Sequence, residues 1–268
     1  MRNRQGPPCS SSQGQRRRRR NRKTERTSLM CGKFTYMATW AQVADFSAPL
    51  ASRPSNAPEE TAMPMRRAPV LHLSADAERT QTEMVWGFTR ERHGRRYPDH
   101  IHARDDKLLA SRLWRPHFEA RRGILIVSSF NEGQEVPTYK ADRVTPTGNM
   151  KTVQWTIRPK DSSRLAIAVI YRILETAEGS VPEFVMCTTP ANKGIAAFVT
   201  GDPDKRMPAV LQEAGIPVWL GETGAALEQV QACLRTFEDG GAWDMQPEAS
   251  LKAPSRKKSP KAEQGDLF

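Results

Sequence analysis

The feature that most constrains this chain is the brevity of its apolar runs. Ile124 to Ser128, Val153 to Ile157, Leu165 to Tyr171 and Glu183 to Thr188 are rich in Val, Ile, Leu and Phe, and Pro and Gly interrupt the sequence between them. Runs of that length and composition read as strands, several of them buried on both faces. Helices are predicted at Thr39 to Phe46, Lys107 to Trp114, Pro208 to Gly215 and Gly224 to Phe237; the last places Leu227, Val230 and Leu234 at helical spacing. No run approaches the roughly 20 apolar residues of a bilayer span, which excludes a helical membrane protein. There is no internal repeat, heptad pattern or phosphate-binding glycine loop. The expected fold is α+β, a single compact domain around a mainly antiparallel, barrel-like β-sheet with flanking helices.

Charge is distributed unevenly. Residues 1–29 hold 10 of the 41 lysines and arginines but one of the 30 acidic residues, leaving residues 30–268 with a net charge of only +2 out of +11. The high basicity therefore belongs to the N-terminal arm, and any basic surface on the folded part must be local. The arm, with Arg16 to Arg20 in a row, lacks the apolar content to offset chain entropy and is expected to be disordered. The domain is expected over residues 30–243. Residues 244–268, with Lys252, Arg256, Lys257, Lys258 and Lys261, are expected to form a second disordered tail. Four widely spaced cysteines, Cys9, Cys31, Cys187 and Cys233, contain no C-x-x-C pair, which argues against a zinc ribbon or a disulfide framework and for a reducing cytoplasm. No metal or other cofactor is expected.

Chemistry enters at Met30-Cys31-Gly32, where the arm meets the first apolar run. If Met30 is the start and is removed, Cys31 carries a free thiol and a free α-amine on adjacent atoms, both partly nucleophilic near neutral pH. Such a pair traps aldehydes: the amine forms a Schiff base and the thiol closes on the same carbon as a thiazolidine. With residues 1–29 attached, the Cys31 nitrogen is an amide and this route is closed. Either Met30 is the true start, or the extension is cleaved, with Cys31 as a candidate for self-cleavage.

Further motifs follow in order: Met84-Val85-Trp86-Gly87-Phe88; His102-Ala103-Arg104; Arg121-Arg122 through Phe130-Asn131-Glu132; Thr188-Thr189-Pro190-Ala191-Asn192; and Arg206-Met207-Pro208. With Met30-Cys31-Gly32 in front, the series resembles the SOS response-associated peptidase family over roughly residues 30–220. Members of that family recognise abasic sites in single-stranded DNA. The resemblance implies a covalent link between the N-terminal cysteine and the ring-opened sugar of an abasic site, with Cys31 as nucleophile and Glu132 as the proton-transferring carboxylate. It further implies that Lys33, Arg104 and Arg206 contact phosphates and that Trp86 stacks on or wedges beside a base.

The departures from the family pattern are equally informative. His102 stands where the family has Asn, and Asp204 where it has His; no histidine follows His117. Asn131 and Gly133 replace a Tyr and a Trp, Ser128-Ser129 an Asp-Gly, and Lys33 an Arg. Two outcomes remain open: His102 takes over part of the missing imidazole's task, or linking survives while strand cleavage and reversal do not. The competing readings are a non-covalent single-stranded DNA-binding module and a thiol peptidase acting on its own leader. The chain ends in Gln264-Gly265-Asp266-Leu267-Phe268, which resembles the Gln-x-x-Leu-Phe peptides that hold the bacterial sliding clamp, with Gln264, Leu267 and Phe268 as the anchoring residues.

Overall fold

Alternation along the apolar runs organises the molecule. In Leu165–Ile170, the side chains of Leu165, Ile167 and Val169 enter one buried cluster and those of Ala166, Ala168 and Ile170 another. A strand buried on both faces reads as an unbroken apolar run because neither face meets water. The computed structural model describes residues 33–36, 60–200, 202–236, 238 and 241–248. The N-terminal arm, Cys31, the expected helix at Thr39 to Phe46 and the C-terminal Gln264, Leu267 and Phe268 lie outside the described residues.

The elements in chain order begin with β1 (Lys33–Tyr36), β2 (Glu60–Ala62), β3 (Arg67–Leu73), β4 (Arg79–Trp86), β5 (Phe88–Arg92), β6 (Arg95–His100) and β7 (His102–Arg104). There follow α1 (Arg115–Ala120), β8 (Arg122–Val127), β9 (Ser129–Tyr139), β10 (Pro146–Pro159), β11 (Leu165–Thr176), β12 (Gly179–Pro190) and α2 (Lys193–Ala196). The last are β13 (Arg206–Pro208), β14 (Val210–Leu211), α3 (Ile216–Leu220), α4 (Leu227–Ala232) and β15 (Trp243–Pro247).

Strands β12, β4, β3, β8 and β11 pair in that sequence, and β11 pairs back onto β12, closing a ring without free edges. Within the ring only the β12–β4 pairing is parallel. A second sheet runs β15-β10-β9-β1-β2, and β5 and β6 form a separate hairpin. The cluster containing Leu165, Ile167 and Val169 also holds Phe34, Phe130, Ile157 and Trp243 of the second sheet. The other cluster lies under the helices, with Phe118 of α1, Trp219 of α3 and Val230 of α4. The fold is thus α+β around a mainly antiparallel barrel, as expected.

Three local expectations change. At Lys107 to Trp114 the chain makes a 3-10 turn at Asp105–Lys107 and further turns; the helix starts at Arg115, where Pro116 fits the first helical turn. At Pro208 to Gly215, Val210 and Leu211 instead pair with Ile167 and Ala166, and helix α3 starts beyond them with Pro217 in its first turn. The domain also extends past residue 243. Residues Trp243–Pro247 pair with Pro159–Trp155 of β10, and Trp243 is buried against Phe130.

Candidate functional site

Strand β7 carries two of the expected site residues. Ala103 is buried in the cluster under the helices, so alternation turns His102 and Arg104 to the opposite face. Parallel pairing with β12 sets His102 beside Met186 and Arg104 beside Thr188; β13 pairs on the same strand, with Arg206 opposite Pro190. His102, Arg104, Asp204 and Arg206 are thereby gathered at one end of the ring.

Their side chains play different parts. The Arg104 guanidinium is 37% exposed; its Nε donates to Asp106 Oδ1 at 2.9 Å and its Nη1 to Asp204 Oδ2. The two carboxylates hold the Arg104 pKa above its ordinary value. The hydrogen bond from Arg104, with a smaller one from Lys107, draws Asp106 down to about 2. Asp204 is largely exposed, and its backbone N–H donates to Asp202 Oδ1 at 3.0 Å. Asp204 is thus a partner of Arg104, which the sequence does not foretell. Arg206 is only 4% exposed: its Nη2 donates to Asp105 Oδ1 and to the Thr188 carbonyl. In this conformation the guanidinium is engaged inside the protein, so the phosphate contact expected of Arg206 would need it to be released from these partners.

Trp86 is enclosed in the same way. It is 0% exposed, its ring lies 4.8 Å from that of Phe34, and its Nε1 donates to the Ile101 carbonyl at 3.0 Å. A side chain so enclosed presents no face to a base in this conformation. It instead connects the two sheets, with its ring edge-on to His102 at 6.2 Å.

The second cluster lies on β1, β9 and β10. Glu132 is 1% exposed on β9, opposite Trp155 of β10. Directly paired residues share a face, and two positions away on that face Phe130 and Ile157 are fully buried. The carboxylate therefore sits at the margin of the core, away from water. Trp155, half-buried, donates from Nε1 to Gln134 Oε1 at 3.0 Å and packs against Phe198 at 4.5 Å. No motif in the sequence pointed to Trp155; its position opposite Glu132 depends on the register of β9 and β10. Asn131 turns to the other face, where its Nδ2 donates to Thr156 Oγ1 at 3.0 Å. Lys33 of β1 pairs opposite Asn131, and its ammonium forms an ion pair with Glu248 just beyond β15.

The described cysteines are not poised as nucleophiles. Cys187 is fully buried, and desolvation pushes its thiol well above the ordinary range. Cys233 is half-buried and also shifted upward by desolvation. Among the described residues, no group of three His, Cys, Asp or Glu side chains could hold a metal ion. No described helix is long and apolar enough to cross a membrane.

Comparison with known proteins gives a consistent picture. Solved structures with similar folds include a protein from Bordetella bronchiseptica, 14% identical with a TM-score of 0.60 over 81% of this chain and 99% of that one. A phage-related protein from the same organism is 16% identical, with a TM-score of 0.59 over 81% of this chain and 93% of its own. A protein from Bacteroides thetaiotaomicron is 19% identical, with a TM-score of 0.60 over 82% and 93% of the two chains. At these identities the likeness concerns the fold alone. No curated protein matches. The sequence model of the SOS response associated peptidase (SRAP) family matches residues 30–248, which spans both sheets and both site clusters, and the chain belongs to that family.

Proposed function

We propose that this protein binds abasic sites in single-stranded DNA and links to them covalently through Cys31, shielding the lesion during the response to DNA damage. Family membership supports the association with DNA damage. The observation that carries the chemical reading is the register of β1 on β9: Lys33 lies opposite Asn131, the neighbour of the buried Glu132. Cys31 precedes Lys33 by two residues in the sequence, and the strand that begins at Lys33 pairs beside the one that carries the buried Glu132.

The reaction requires Cys31 to be the first residue of the mature chain. Its α-amine attacks the aldehyde carbon of the ring-opened sugar, a C–N bond forms, and the carbinolamine loses water to give an iminium. The Cys31 thiol then gives up its proton as its sulfur adds to the same carbon, the C=N electron pair returns to nitrogen, and a thiazolidine is left; overall, amine, thiol and aldehyde give the ring and one water. Glu132 serves as the proton carrier, protonating the departing hydroxyl and receiving the proton released later. Arg104, the more exposed of the expected cations, is suited to a phosphate beside the lesion, and Lys33 to a second one once released from Glu248. His102, on the same face of β7 as Arg104, would orient the sugar. The C-terminal Gln264, Leu267 and Phe268 would hold a sliding clamp, bringing the protein to replicating DNA in the cytoplasm.

The test is intact mass, measured on protein expressed from its native gene, before and after incubation with a single-stranded oligonucleotide carrying one abasic site. The expected result is a starting mass beginning at Cys31 and a heat-stable adduct that Cys31→Ala abolishes. Retention of residues 1–29 with no adduct would remove the covalent reading and leave a DNA-binding module. Removal of the leader by wild type but not by Cys31→Ala would establish self-cleavage. Deleting the last five residues is expected to abolish clamp binding in a pull-down without altering adduct formation.

A further inference from the structure

The β5–β6 hairpin stands apart from both sheets, directly between Trp86 and the strand that carries His102 and Arg104. Its tip is the two-residue turn His93-Gly94, with φ of 52° and 68°; this is the mirror-image turn that matches strand twist, and Gly94 adopts it without steric cost. Its base is tightly held. Phe88 is 1% exposed between Trp114 and His117, and the Arg172 guanidinium lies over its ring at 4.5 Å. The fully buried Glu183 accepts from the Thr89 N–H at 3.1 Å, from the Thr89 hydroxyl and from Arg172 Nε at 2.9 Å, while Arg172 Nη2 donates to the Thr89 carbonyl at 2.7 Å. This buried network has no part in the proposed chemistry, and its effect is to fix the direction in which the hairpin projects.

The register assigns the side chains to faces. Arg92 pairs with Arg95 and Arg90 with Tyr97, so these four share one face; Glu91 and Arg96 share the other. All four on the first face are exposed, Tyr97 at 47%. Arg90 is paired with Asp99 at 2.7 Å, but among the described residues neither Arg92 nor Arg95 has a salt-bridge partner. Like charges directly opposite in an antiparallel pair destabilise it. With four arginines against Glu91 and Asp99, the hairpin carries as much net charge as the whole of residues 30–268. A rigid ribbon with a repelling arginine pair and an exposed tyrosine on one face suits a polyanion that also offers flat rings.

We propose that the Phe88–His100 hairpin is a second DNA-binding element, in which Arg92 and Arg95 hold the backbone phosphates of single-stranded DNA flanking the lesion and Tyr97 stacks on one of its bases. The inference rests on the DNA reading of the neighbouring site but not on its covalent step. It extends the path of the strand beyond Arg104, along a segment that directly precedes β7 in the chain.

The test uses full-length protein and a labelled single-stranded oligonucleotide without a lesion, with affinity read by fluorescence anisotropy across a salt series. Replacing both arginines, Arg92→Gln with Arg95→Gln, is expected to weaken binding about tenfold and to flatten the slope of log affinity against log salt by about 1.4, the loss of two phosphate contacts on a single strand. Tyr97→Ala is expected to weaken binding several-fold and Tyr97→Phe to retain it. Unchanged affinity and slope in the double variant would overturn the proposal, as would displacement of the DNA by polyglutamate at equal charge, which would mark a general polyanion surface. Adduct formation with an abasic oligonucleotide at saturating concentration separates the two readings. If wild type forms no adduct while the double variant loses affinity, the hairpin inference stands and the covalent reading fails. If wild type crosslinks and the double variant binds as tightly as wild type, the hairpin inference alone fails.

Discussion

Arg104 and Asp204, 100 residues apart in sequence, are joined by a hydrogen bond from the guanidinium to the carboxylate. Asp106 holds the same guanidinium from its other side. Two carboxylates thus surround the best exposed of the three cations Lys33, Arg104 and Arg206. A phosphate approaching Arg104 encounters its charge already balanced and must share or displace an acid. On the proposed DNA-binding reading, Asp204 would therefore bear directly on affinity.

Replacing Asp204 by Asn preserves the shape and an acceptor oxygen but removes one of those charges. The expected outcome is tighter binding of lesion-free single-stranded DNA, about threefold to tenfold at low salt and less as salt screens the site. Anisotropy titrations of wild type and Asp204→Asn at two salt concentrations measure this. Equal affinities would mean that the strand does not pass Arg104.

The Asp106 carboxyl provides a pH signature of the same cluster. Its folded pKa of about 2 lies below the ordinary value because Arg104 stabilises the charged form. A depressed carboxyl contributes stability that is fully present above the unfolded pKa of about 4 and is lost as pH falls through the folded value. Carboxyl carbon NMR is expected to find Asp106 still ionised at pH 3 in wild type, and to move its midpoint upward in Arg104→Gln. A midpoint near 4 in wild type would show that the pairing does not persist in solution.

Arg206 yields the opposite kind of prediction. Buried against Asp105 and Thr188, it is a structural cation, and Arg206→Met leaves a carboxylate and a carbonyl without their donor. Breaking such a pair is expected to cost about 3 kcal/mol of stability. DNA affinity per folded molecule should hardly change. Denaturant unfolding and anisotropy on the same preparation distinguish this from a phosphate-binding role, in which affinity falls and stability does not.

Burial explains where the sequence was legible. Leu165 to Ile170 reads correctly because both faces of β11 are buried, whereas β10 begins with a run of exposed residues that carries no apolar alternation and shows only its inner end, near Val153 to Ile157. Helices α1 and α3 begin later than predicted because Pro116 and Pro217 fit a first helical turn and not a helix interior. Arg206 and Trp86 belong to recognisable motifs, but a motif does not reveal whether its side chain faces solvent. Arg206 is decided by Asp105, 101 residues away, and Trp86 by its contact with Phe34 across the two sheets. Trp155 carries no signal in the sequence for the same reason, since it meets Glu132 only through strand pairing.

That pairing makes Glu132 the residue with the sharpest expected phenotype. It is enclosed on the face shared with Phe130 and Ile157, so a swap that keeps its shape is needed to separate chemistry from packing. Glu132→Gln retains volume and an acceptor but cannot shuttle a proton. Positioned acid-base groups contribute about 10² to 10⁴ in rate, so single-turnover adduct formation with an abasic oligonucleotide is expected to slow at least about 10²-fold. Affinity for lesion-free DNA should stay within about twofold of wild type, since a buried carboxylate offers phosphate no contact. The defect should be partly relieved by small carboxylic acids such as formate, if they can enter beside Trp155 and supply the missing proton carrier. An adduct that forms at the wild-type rate in Glu132→Gln would assign the proton transfers elsewhere, with His102 the next residue to replace.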